Sequence, residues 1–110
     1  MSIYSELQSN LRRKGIGSYL QNPDQLVVSN QNPAWPDSNC FWVTRRKKIW
    51  YVGTWSPAVY EVPLNVDISE VCDAVFHSST RAIFTVEPAL VDQWRLRRLT
   101  EEENEQLGFA

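Results

Sequence analysis

The stretch CFWVTRRKKIWYVGTWSPAVYEV, residues 40–62, decides the fold of this chain. Two runs rich in β-branched and aromatic residues, 41–44 and 49–55, flank a polar RRKK tetrad, which is the layout of a β-hairpin with a short cationic loop. A third run, 58–62, follows the breaker Pro57. The stretch therefore predicts a meander of about three strands.

The hairpin carries aromatic side chains on both of its faces. Successive side chains of a strand point to opposite faces, so Trp42 faces away from Phe41 and Val43, and Trp50 faces away from Tyr51. A sheet with one face in water would alternate apolar with polar residues. Because few helices are available to cover two faces, we expect one aromatic face to stay incompletely covered by the chain itself.

The clearest helix follows this meander. Apolar residues recur at helical spacing and predict a helix over residues 68–78 that packs on the sheet. These residues are Ile68, Val71, Cys72, Val75 and Phe76. Asp67 and Glu70 have the spacing of a capping box at its start. Shorter helices are expected at the two ends of the chain, one over residues 2–14 and one after the capping residue Thr100.

The remaining segments give weaker signals. The apolar island at residues 26–28 predicts a short strand, and the breaker-rich remainder of residues 17–39 predicts a loop. Residues 82–86 predict a strand that returns to the sheet after the helix. Pro88 opens a short helix, and residues 96–99 form a connecting or edge segment.

Together these elements predict an α+β fold in one domain, residues 1–110. An antiparallel sheet of four to five strands has the meander 41–62 at its centre, the helix 68–78 packs on it, and short N- and C-terminal helices lie at its edges. A more open, barrel-like β domain is the alternative. The side chains expected to be mostly buried are Leu7, Phe41, Val43, Tyr51, Val71, Val75, Phe76 and Phe84.

Composition and length favour an ordinary globular domain. The 110 residues are 43% hydrophobic, which is enough to bury a core without a disulfide or a metal. The N-terminus lacks the pattern of a signal peptide, and no apolar run approaches the roughly 20 residues of a membrane span. Cys40 and Cys72 are isolated, so reduced thiols are expected. We expect a cytoplasmic protein without a membrane segment.

Residues that could carry chemistry are few and scattered. His77 follows Asp73 by four residues, a spacing that is typical of an ion pair at a helix end. Cys72 lies about 140° around the helix from His77, so the two cannot form a local dyad. One histidine and two scattered cysteines do not supply the ligands of a zinc site. No motif marks the carboxylates that the fold might bring together: Glu61, Asp67 and Glu87. We therefore expect no catalysis, no metal and no cofactor.

The sequence favours a small non-enzymatic protein-interaction module that binds through the aromatic hairpin and its cations. Aromatic residues and arginine are enriched among the residues that dominate binding energy at protein interfaces. The candidate binding residues are the aromatic Trp35, Trp42, Trp50 and Tyr60 and the cationic Arg45, Arg46, Lys47 and Lys48. The partner would be another protein or a second copy of this chain.

Two other functions remain open. A single-stranded nucleic-acid-binding domain would use the hairpin cations on phosphate and the aromatics on bases, although the net charge of −2 weighs against it. Small bacterial immunity and accessory proteins are similar in size and outline, an analogy of architecture alone. The cationic tetrad also has a structural interpretation, in which charge at a solvated hairpin tip prevents edge pairing.

Overall fold

The computed structural model of the chain describes residues 3–29, 39–78 and 85–109, with the backbone alone at residues 39 and 40. Four helices and six strands follow one another in these ranges. The helices are α1 (Ile3–Arg13), α2 (Ile68–His77), α3 (Pro88–Trp94) and α4 (Glu101–Leu107). The strands are β1 (Gly17–Asn22), β2 (Gln25–Ser29), β3 (Asn39–Arg46), β4 (Ile49–Gly53), β5 (Val59–Glu61) and β6 (Arg97–Arg98). Among the described helices, none is long and apolar enough to cross a membrane.

The six described strands form one antiparallel sheet whose spatial order is the order of the chain. The α+β class is confirmed, but the sheet exceeds the predicted four to five strands. Strand β1 lies where the sequence predicts a loop, and β6, which pairs with β5, lies in the segment 96–99 that the sequence predicts as a connecting or edge segment. Strand β1 pairs with β2 from Gly17 opposite Ser29 to Asn22 opposite Gln25. Because this pairing uses backbone groups and leaves most of the β1 side chains exposed, hydrophobic periodicity does not reveal it.

The hairpin β3–β4 forms as predicted, but its loop has two residues and not four. Arg45 and Arg46 belong to β3, where Arg45 pairs with Trp50 of β4. The turn consists of Lys47 and Lys48, with φ angles of 52° and 68°. Positive φ at both central residues is the geometry of the type I′ turn, whose twist matches that of the flanking strands. The RRKK tetrad is therefore divided between strand and turn.

Helix α2 ends one residue before its predicted limit and begins at the predicted cap. The Asp67 carboxylate accepts a hydrogen bond of 2.9 Å from the Ser69 amide. Glu70 does not complete the predicted capping box. Its carboxylate lies 3.2 Å from the Lys14 ammonium at the end of α1, so it joins two helices instead.

The C-terminal helix has both of its predicted signals. Thr100 and Glu103 form a reciprocal capping box at the start of α4, and Gly108 ends it with a φ of 79°. The predicted strand at 82–86 is wrong for residues 85 and 86, which are in no strand, and its first three residues lie outside the described part of the chain. Trp35 also lies outside it.

Most of the predicted core is confirmed. The buried members are Leu7, Phe41, Val43, Tyr51, Val71 and Val75. Phe76 is half-buried, since it lies at the border of the α2 stripe, and Phe84 lies outside the described residues.

Each face of the sheet has its own apolar cluster. The first face carries Phe41, Val43 and Val52 and packs against α1 and α2. The second face carries Trp42 and Tyr51 and is covered by apolar side chains of the C-terminal segment. These are Leu99, Leu107 and Phe109. The expectation of an incompletely covered aromatic face is wrong for these two rings, which are only 6% and 5% exposed.

Candidate functional site

The two hairpin arginines lie on opposite faces of the sheet, as neighbours in a strand must. The Arg45 guanidinium lies over the Trp50 ring, 5.7 Å from its centroid. The Arg46 guanidinium lies over the Phe109 ring at 4.5 Å and 3.5 Å from an Asp24 carboxylate oxygen. The four cations therefore do not form the single basic rim that the sequence predicts.

The half-buried Trp50 ring packs against a side chain that hydrogen bonds hold in place. It meets the Tyr4 ring edge-on, with centroids 5.6 Å apart and an interplanar angle of 90°. The Tyr4 hydroxyl donates to the Asp24 carbonyl oxygen at 2.9 Å and accepts from the Arg45 amide at 2.9 Å. Because these bonds fix Tyr4 and the strand beside it, the exposed part of Trp50 has a defined position.

A groove runs between this end of the hairpin and the segment that leads from β5 into α2. It has a volume of about 450 Å³. Its apolar lining includes Trp50, Leu64 and Ile68, and its cations are Arg45 and Lys48. Leu64 is 78% exposed, far more than a side chain that contributes to the core. We call this the hairpin groove.

The hairpin groove continues past Trp50 and Ile68 along α1. There a second depression of about 290 Å³ shares both of these side chains and adds α1 residues, among them Ile3 and Glu6. Sequence reasoning missed the contribution of residues 64–68. The available signal was an apolar Leu64 in a breaker-rich connection, where burial gives no reason for it.

Two of the predicted anchors are core residues. Trp42 lies flat on the backbone of Gly53, where an added Cβ would come within 2.0 Å of the ring, and its indole N–H donates to the Thr54 carbonyl oxygen at 3.2 Å. Tyr60 is 3% exposed, and its hydroxyl accepts from the Val86 amide at 3.4 Å. Neither ring is available to a partner in this structure. The prediction of an exposed contact surface is therefore wrong for both.

The side chains that could carry chemistry lie in ordinary structural contacts. Nδ1 of His77 lies 3.1 Å from Oδ1 of Asp73 and 2.9 Å from the Asp73 carbonyl oxygen, an exposed contact between the two residues that the spacing brings together. Cys72 is a free thiol and is fully buried under α2; burial raises its pKa well above the usual range, so it stays protonated. In residues 3–29, 39–78 and 85–109, no three histidine, cysteine or carboxylate side chains gather as they would around a metal ion.

The carboxylates singled out from the sequence serve separate elements. Glu61 accepts from Arg97 at 2.8 Å, and Arg97 also holds both carboxylate oxygens of Glu103, at 2.9 and 2.8 Å. The Arg97 hydrogen bonds, followed by the Thr100 amide, lower the pKa of Glu103 to about 2. Asp67 caps α2 and Glu87 is exposed at the start of α3.

Comparisons with protein-family models, with curated proteins and with solved structures found no match. The geometry of the hairpin groove therefore carries the functional argument.

Proposed function

We propose that this domain is a non-enzymatic protein-interaction module that binds its partner through the hairpin groove. The observation that carries the proposal is the combination of a half-buried Trp50, held on Tyr4, with a Leu64 that is 78% exposed beside it. Interfaces draw most of their binding energy from a few residues, above all aromatic residues and arginine, within an apolar patch that has a polar rim. Arg45 and Lys48 supply that rim.

Several contacts support binding over catalysis. Cys72 is buried and protonated, and His77 is exposed at the end of α2 and paired with Asp73. A nucleophile and its base must lie within hydrogen-bond reach of each other. The free, buried Cys72 also supports a reducing cytoplasm as the place of action.

Nucleic-acid binding has less support. Base stacking needs exposed rings beside a continuous cationic track. Trp42 and Tyr60 are buried, and Arg46 is engaged by Phe109 and Asp24 on the other face from Arg45. Binding of a second copy of this chain in the groove falls under the same proposal.

The proposal is tested with a matched pair of surface substitutions. Leu64→Glu places a charge in the hairpin groove, whereas Leu20→Glu places the same charge at the exposed edge strand β1, where Leu20 is 42% exposed. Purified wild-type and variant proteins are immobilised and exposed to lysate of the source cell, and retained proteins are quantified. We expect a partner that Leu20→Glu retains and that Leu64→Glu loses by about tenfold or more.

Three outcomes would contradict the proposal. Equal retention on all three proteins would remove the groove from binding, and loss on Leu20→Glu alone would place the interface at β1. Light scattering of the same variants reports self-association through either surface. Polarisation with single-stranded DNA and RNA that weakens steeply with salt, and is lost when Arg45, Lys47 and Lys48 become glutamates, would favour the nucleic-acid alternative.

A further inference from the structure

The hairpin groove is lined by two cations, Arg45 and Lys48. Neither Arg45 nor Lys48 forms an ion pair within the ranges that the structure describes. By contrast, Arg46 pairs with Asp24 and Lys14 pairs with Glu70. Two cations that line one groove and form no ion pair there attract an anionic group of a ligand.

Arg45 is held in place by an aromatic ring and not by an acid. Its guanidinium lies over Trp50, and its Nε is buried without a hydrogen-bond acceptor in the described structure. A guanidinium stacked on a ring keeps its full charge and loses little conformational entropy on binding a carboxylate. The cation is thus positioned beside the apolar surface that Trp50 and Leu64 provide.

Two acids, Asp67 and Glu6, line the groove, and neither forms an ion pair with Arg45 or Lys48 in the described residues. Asp67 lines both depressions, and its Oδ1 accepts from the amide and the hydroxyl of Ser69 at 2.9 and 2.7 Å. Glu6 lines only the depression along α1, and neither Arg45 nor Lys48 lines that depression. The groove therefore carries its cations at the hairpin and Glu6 along α1, while Asp67, already hydrogen-bonded to Ser69, borders both depressions.

Resting on the proposed function, we propose that the partner presents an acidic segment with an apolar anchor. Its apolar side chain packs against Trp50, Leu64 and Ile68, and a neighbouring carboxylate binds Arg45 and Lys48. Where the segment passes Glu6 it carries a neutral or basic residue, since like charges there oppose binding. The occupant is thus defined by charge complementarity along the groove.

The two lysines of the hairpin turn provide the test. Lys47 and Lys48 are both exposed and both have positive φ, but Lys48 lines the groove and Lys47 does not. A random library of short peptides is selected on the full-length protein. Labelled peptides of the selected consensus are then titrated against wild type, Lys48→Glu, Lys47→Glu and Leu64→Ser. We expect a consensus with an apolar residue close to Asp or Glu.

Affinity for this consensus should fall about tenfold in Lys48→Glu and change less than about twofold in Lys47→Glu. A peptide whose acidic residue is replaced by lysine should regain affinity for Lys48→Glu. Such a rescue would not occur if Lys48→Glu lost affinity because it failed to fold. Peptides that require Leu64 but contain no acid and ignore Lys48→Glu would overturn this inference while leaving the proposed function intact. A selection without binders, or with binders that ignore Leu64→Ser, would overturn both.

Discussion

Trp42 and Trp50 lie on the two faces of one hairpin and have opposite fates. Trp42, on the second face, is 6% exposed under the C-terminal Phe109, 5.6 Å away between ring centroids. Trp50, on the first face, rests on Tyr4 but borders an open groove. An aromatic residue in a strand therefore predicts a packing contact, but not whether that contact is made within the chain. This depends on which other element of the fold packs against its face.

The largest effect is expected where the first face is closed by α2. Val75 is 1% exposed, so Val75→Asp places an ionised carboxylate in the core and should destabilise the protein by about 4 kcal/mol or more, against a typical total of about 5–15 kcal/mol. Thermal unfolding followed by circular dichroism measures it. Ala89→Asp, at an exposed position of α3, is the control and should change stability by less than about 1 kcal/mol. Equal melting of both variants would mean that α2 does not pack inward.

A smaller loss is expected where Trp42 lies on the strand backbone. Gly53→Ala puts a Cβ 2.0 Å from the ring, so the indole must move, and overpacking of this kind costs about 1–3 kcal/mol. The indole N–H resonance of Trp42 should shift with it, because its bond to Thr54 is disturbed. In a Trp42→Phe background the same substitution should cost less, and a cost that persists unchanged would assign the strain to another contact.

Substitutions of Phe109 and Phe76 compare the packing on the two faces of the sheet. Both phenyl rings are half-buried, but Phe109 packs on Trp42 and Tyr51 while Phe76 belongs to α2. Each change to alanine should cost about 1–3 kcal/mol. Only Phe109→Ala should speed hydrogen exchange of the Trp42 indole N–H, measured by NMR. Equal exchange in both variants would show that the C-terminal segment does not protect the second face.

The smallest expected effect is a pH dependence of folding stability that arises from Glu103 of α4. The pKa of Glu103 is lowered from 4.5 to about 2, first by Arg97 and then by the Thr100 amide. A carboxyl group with a depressed pKa in the folded state stabilises the protein above its unfolded pKa, and this contribution is lost as pH falls from about 4.5 through about 2. Melting temperatures across this window should fall more steeply for wild type than for Glu103→Gln. Parallel curves would contradict the linkage.

Local signals in the sequence predicted the elements that depend on their own residues. The stripe from Ile68 to Phe76 gave α2, and the pair Thr100 and Glu103 gave the capped α4. Strand β1 was not predictable in this way, because its pairing with β2 is made by backbone groups that every sequence carries. The length of the hairpin turn was not predicted because lysine is not a residue that usually marks a turn with positive φ.

The candidate site was predicted in part. The sequence singled out Trp50, Arg45 and Lys48, which line one groove. It also singled out Trp42, Tyr60 and Arg46, which the fold places in the core or on the other face. Leu64 escaped because an isolated apolar residue in a connection has no periodicity to mark it.

The sequence by itself determined the helices, the hairpin and the division of aromatic side chains between two faces, because helical spacing, capping and strand alternation are properties of neighbouring residues. Only the tertiary structure decided which aromatic face is closed. Phe109 lies far along the chain from Trp42, and the order of the strands together with the Arg97 to Glu103 ion pair brings α4 across the second face. Contacts between distant segments depend on the packing of the whole chain, so no local pattern contains them.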